Sequence, residues 1–154
     1  MKRARWTTLI IVACLTSAPS WGQEKKAPTV SNGYADDVAQ GWLARANGYV
    51  DQKRWMEAKE AFLRYLDEHP ADVNATADLG LCYKELGDYE RAIRNFDRAL
   101  VLDPGHWQAL YNKIIVLGYH VDKKAEAKKL MRELRRLQPK NPDVARLARD
   151  VAKL

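Results

Sequence analysis

Cysteine occurs only twice in the 154 residues, at Cys14 and Cys82. That excludes a disulfide scaffold and a cysteine-ligated zinc site. Glycine and proline are sparse and follow no short period, so collagen-like and low-complexity chains are excluded too. No apolar run approaches the roughly 20 residues that span a bilayer. The three histidines, His69, His106 and His120, are scattered and share no metal-ligand spacing. The chain contains no Gly-rich phosphate loop, no Gly-x-Ser-x-Gly elbow and no His-Glu-x-x-His run. With no metal, cofactor or catalytic set indicated, the expectation is a non-catalytic protein. What is present is 47% apolar and 30% charged residues, the composition of one core-forming domain.

The first residues read as an address. Lys2, Arg3 and Arg5 make a positive start, and Trp6 to Leu15 is an apolar stretch of signal-sequence length. Ser20 and Gly22 place small residues where a signal peptidase inspects the chain. Residues 1–22 are therefore expected to be a signal peptide cut after Gly22, giving a periplasmic or secreted protein. Ile11-Val12-Ala13-Cys14 supports an alternative, in which Cys14 is lipidated and anchors the chain to the outer membrane. The polar segment that follows, residues 23–35, is expected to be a disordered linker. Cys82 is then the only cysteine of the mature chain, read either as a small buried residue or as a site of intermolecular crosslinking.

From residue 36 onward the sequence repeats. Tyr49 recurs as Tyr83, Ala58 as Ala92, Phe62 as Phe96 and Pro70 as Pro104, each 34 residues apart. A third copy carries one extra residue near His120-Val121, after which Ala127, Met131 and Pro139 take the same places. Within the middle copy Leu79, Tyr83 and Leu86 fall on one helix face, and Gly87-Asp88 stops that helix. Ala92, Ile93, Phe96, Ala99 and Leu100 form the next apolar stripe. Gly80 and Ala92 are small where the two helices cross, and Phe96 fills the remaining space.

This pattern resembles the tetratricopeptide repeat, and the stretch Ala77 to Pro104 is similar to it almost throughout. The resemblance implies an all-α fold: a right-handed α-solenoid of three helical hairpins, at about residues 39–72, 73–106 and 107–140. A C-terminal capping helix, residues 142–154, opens with Asn141 as cap and Pro142 at the first position. Departures are expected to matter in two places. The first copy uses Gln52-Lys53-Arg54-Trp55 as its turn. The third has Ile114 at the small position and a longer turn over Gly118–Asp122, so its hairpin is expected to splay.

The resemblance also implies a function. In that family the first helix of each hairpin lines a concave groove that binds a peptide or helix of a protein partner. Counted in register, the groove positions here are Leu43, Asn47 and Val50, then Ala77, Leu81 and Lys84, then Tyr111, Ile115 and Tyr119. The family's clamp for a terminal carboxylate is broken: Asn47 matches one clamp asparagine, but Leu81 replaces the other, and Gln108 and Asn112 replace basic residues. The expected role is an adaptor in the cell envelope that supports assembly of a complex. Under the lipidated alternative the chain is a membrane-anchored assembly or pilot component.

Charge is uneven. Residues 23–104 carry 11 basic and 15 acidic side chains, net −4, and residues 105–154 carry 12 and 5, net +7. Lys123, Lys124, Lys128, Lys129, Arg132, Arg135 and Arg136 concentrate on the last hairpin. Such an end attracts an acidic partner or an anionic membrane surface. Nucleic acid is disfavoured, because no aromatics interleave the basic run and an exported protein rarely meets it.

Overall fold

The computed structural model describes residues 33–154, and side-chain surroundings from Asp37 onward. The expected signal peptide, Cys14 and most of the expected linker lie outside the described residues. Seven α-helices make up the described part: α1 (Gly33–Asp51), α2 (Trp55–Glu68), α3 (Val73–Glu85), α4 (Tyr89–Leu102), α5 (Trp107–Ile115), α6 (Lys124–Leu137) and α7 (Pro142–Ala152). They form three antiparallel hairpins, α1/α2, α3/α4 and α5/α6, stacked as a right-handed solenoid with α7 on the end. Helix α1 begins at Gly33, inside the segment 23–35 expected to be linker. Among the described side chains, the apolar stripe of α1 first reaches the core at Ala39, which is 1% exposed.

Each hairpin turns through one residue with positive φ: Lys53 (57°), Gly87 (81°) and Asp122 (53°). Lys53 and Gly87 are one period of 34 apart, and Asp122 follows one residue late because of the insertion. The turns after α1 and α3 close with the same bonds. Arg54 N–H donates to Tyr49 O at 2.8 Å and Asp88 N–H to Tyr83 O at 2.9 Å. These are the six-residue closures of a glycine-type helix stop. In the third copy the matching bond, Lys123 N–H to Leu117 O at 2.8 Å, spans one residue more.

The extra residue does not lengthen the turn, as the sequence suggested. It is absorbed in a π-helical segment, Val116–His120, that continues α5. A single inserted residue widens one helical turn and leaves the apolar face aligned on both sides. The segment ends with His120 stacked on Tyr89 of α4, ring centres 4.4 Å apart.

Side-chain caps start the later helices. Asp72 accepts from Ala75 N–H at 2.9 Å, and its other carboxylate oxygen accepts from the Tyr65 hydroxyl at 2.8 Å. Asp88 caps α4 through Arg91 N–H, and Asn141 caps α7 through the amides of Asp143 and Val144. Arg54 and Lys123 stand where Asp88 stands and make no cap.

The core runs the length of the stack. Phe62, Phe96, Ile114 and Leu134 are fully buried. Gly80 lies directly against Phe96: a Cβ on Gly80 would fall 2.7 Å from the ring. In the third hairpin the small residue comes one turn later, because Ile114 occupies the glycine position and is fully buried. Gly118 takes over the close approach. A Cβ there would meet Leu154 Cδ1 at 2.8 Å and Ala127 Cβ at 3.6 Å. Helix α7 packs Val144, Leu147 and Val151 onto Leu110, Ile114, Leu117 and Leu134. Cys82 is buried, and burial first, then the Asp78 charge, push its thiol up to about 12. A thiol so placed stays protonated and out of reach of a second chain.

Candidate functional site

The first helices of the hairpins present a common face. Two hydrogen bonds tie α3 to α5. Lys84 Nζ donates to Asn112 Oδ1 at 3.0 Å, and His106 Nε2 meets Asn74 Oδ1 at 3.0 Å. His106 Nδ1 accepts from Ala109 N–H at 3.2 Å, so Nε2 carries the proton and donates to Asn74. His106 thus caps α5 and links it to the preceding repeat in one side chain.

The nine groove positions read from the sequence are not equally presented. Asn47 is exposed, and Leu43, Val50, Leu81, Tyr111 and Ile115 are half-buried. Ala77 is only 6% exposed and belongs to the floor. Lys84 is half-buried and already engaged, by Asn112 and by Glu85 Oε1 at 3.0 Å. Tyr119 is 47% exposed. Its hydroxyl is held above the usual range by partial burial first, then by Asp150 of α7 and by Tyr111. Trp107 meets Tyr111 edge to face, ring centres 6.4 Å apart, which fixes the Tyr111 ring.

Helix register adds residues that the sequence reading passed over. On α3, Asn74, Asp78, Leu81 and Glu85 share a face opposite the buried Thr76, Gly80 and Tyr83. Counting out from those buried residues would have identified this face; counting from the helix start drifted toward Ala77 and Lys84. Asp78 is the unusual member. Burial raises its carboxyl above the ordinary range, His106 pulls it partly back, and Asp72 pushes it up again.

That shift fixes a sign. A raised native pKa means the folded chain holds its proton more tightly than the unfolded chain. Stability from Asp78 is then present at low pH and lost as pH rises through the native pKa. Asp78→Asn is expected to raise the denaturant midpoint at pH 7, with the advantage over wild type vanishing below about pH 4, where an ordinary carboxyl is protonated. Urea unfolding at several pH values checks this.

The seven basic residues from Lys123 to Arg136 are all exposed. Lys124 pairs with Asp122 at 3.1 Å. Lys113, of α5, is half-buried and bridges Asp97 at 2.7 Å and Glu126 at 3.6 Å. Among the described residues no group of three or more His, Cys, Asp or Glu side chains is placed to hold a metal.

Comparison with known proteins agrees with this geometry. The family model described as tetratricopeptide repeat matches residues 43–104 and 83–142. The TPR domain of Arabidopsis OM64 is similar in structure, with a TM-score of 0.72 at 15% identity, covering 77% of this chain and 98% of that one. So is the second TPR domain of human RPAP3, solved in complex with the HSP70 peptide SGPTIEEVD. Its TM-score is 0.70 at 21% identity, covering 78% of this chain and 99% of that one. In sequence, human Protein O-mannosyl-transferase TMTC3 is 32% identical over 82 residues. That stretch is 53% of this chain and 9% of the human protein.

Proposed function

This chain belongs to the tetratricopeptide repeat family, and we propose that it is a non-catalytic adaptor which holds a peptide or helix of a partner protein along the face formed by α1, α3 and α5. The observation that carries the reading is the strip of Leu81, Tyr111, Ile115 and Tyr119, half-buried to exposed on that face. Such side chains give large contact area at low ordering cost, and tyrosine adds a hydrogen-bonding tip. Solved domains of the same fold hold peptides ending in EEVD. A carboxylate-rich tail is a poor match here. Lys84 is spent on Asn112 and Glu85, and Asp78 and Glu85 place acid on the same face. The ligand favoured by these residues is apolar and aromatic, neutral or basic in charge.

We place the protein in the cell envelope on the composition of residues 1–22, with the mature chain starting at Gln23. Mass spectrometry of the mature N-terminus tests this, and a lipid-modified Cys14 would instead identify an anchored form.

The groove reading predicts that Ile115→Arg abolishes capture of the partner from native envelope extract while leaving the helical melt unchanged. Loss of at least about tenfold in affinity is expected, since a charge replaces an apolar contact. Equal capture by wild type and variant would remove the groove as the working surface.

A further inference from the structure

The outer side of α7 forms a cleft with α6. Its floor is the alanine row Ala145, Ala148 and Ala152, and a hollow of about 320 Å³ opens between that row and Arg135, Gln138 and Pro139. Lys128, Arg132 and Arg135 rim it on α6, and Arg149 rims it on α7. No carboxylate lines the cleft. Arg132 Nη1 donates to Lys128 O at 3.5 Å. Among the described residues none of these four cations pairs with an acid.

Register shows what this cleft is shaped for. One period of 34 and one of 35 beyond Thr76, Leu79, Gly80 and Tyr83 lie Ala145, Ala148, Arg149 and Ala152. On α3 that face is buried, and Gly80 lies on the Phe96 ring of α4. The alanine row of α7 is thus a hairpin-pairing face, and among the described residues no helix covers it. Its lining differs from the α3 face in two ways. Alanines replace large side chains, and Arg149 replaces the glycine that accepts Phe96. A covering helix must therefore carry carboxylates toward Arg149, Arg135 and Arg132, with apolar residues over the alanines. A second copy of this chain is a poor occupant. Its end hairpin would present Arg45 and Arg64, both stacked on Trp42 at about 5 Å, to the same cations.

We propose that the α6/α7 cleft is a second binding site, separate from the groove, which accepts an acidic amphipathic helix of a partner as the second helix of a fourth hairpin. The charge difference steers the helix in, and burial of the alanine row holds it.

The test uses a stapled helical probe with Leu and Ala along one face and Glu elsewhere, followed by fluorescence anisotropy against the full chain. Saturable binding is expected. It should weaken about tenfold or more in Arg135→Glu/Arg149→Glu and in Ala148→Trp, which fills the cleft without changing charge. Ile115→Arg should leave it unchanged, which separates this site from the groove. Three results would overturn the proposal. The first is no saturable binding of the probe. The second is equal binding of a proline-broken peptide of the same composition, or of anionic vesicles with the same loss in the double variant, which marks a general anion surface. The third is self-association that the double variant abolishes, which gives the cleft to a second copy.

Discussion

Phe96→Ala is expected to cost about 3–5 kcal/mol of folding stability, the range for truncating a fully buried aromatic. The ring has no exposed surface and sits in the middle repeat, so both neighbouring repeats rest on its hairpin. The space it leaves cannot be refilled from the opposite side, because the facing residue is Gly80. A domain of this size has about 5–15 kcal/mol in all. The variant should therefore unfold far earlier in urea, and part of it should be unfolded at 37 °C. The reciprocal change tests the same contact from the other side. Gly80→Ala adds a methyl 2.7 Å from the ring and should destabilise by about 1–3 kcal/mol despite its better helix propensity. Combined with Phe96→Leu, the alanine should cost less than it does alone, since the two side chains share one space.

The second large effect is expected from removing α7. Val144, Leu147 and Val151 are 1%, 6% and 1% exposed, and each contributes about 1.5–3 kcal/mol by burial. They cover Leu110, Ile114, Leu117 and Leu134 of the last hairpin. A chain ending at Lys140 should lose hydrogen-exchange protection through α5 and α6 first, with α3 and α4 protected longer. Stacked repeats lose stability through their nearest-neighbour interfaces, so the loss spreads from the cut end. Trp107 fluorescence should shift to the red as that hairpin opens. Uniform loss of protection across all three hairpins would show instead that the stack melts as one unit.

How much of this was legible beforehand depended on what kind of signal a residue carries. The repeating large and small residues located all three hairpins, because Tyr83, Phe96 and Pro104 each do one steric job per copy. The cap at Asn141-Pro142 was legible for the same reason, as side-chain chemistry acting within a few residues. The insertion was visible as a shift in spacing, but not its form. The π-helical segment sets Gly118 where a Cβ would meet Ala127 and Leu154, neighbours too distant in sequence for local spacing to show. Site residues were harder still. Asp78 and Asn112 gain their character from His106 and Lys84 on neighbouring elements, and no local pattern marks them. The basic residues of α6 were obvious as composition. That Lys128, Arg132 and Arg135 share a cleft with the alanines of α7 follows only from the α6/α7 packing. Ala77 shows the opposite case, a position counted as groove that packing turned into floor.

The central claim is that a partner segment lies along the face of α1, α3 and α5. Site-specific photo-crosslinking tests it most directly. A photoreactive side chain would be placed at Ile115 in the groove, and in a separate variant at Val101, which is 81% exposed on α4. Irradiation in cells that produce the protein would be followed by mapping of the adducts. The account predicts one dominant partner adduct at Ile115, joined through an apolar or aromatic segment, and none at Val101. An adduct at Val101 with none at Ile115 would contradict it.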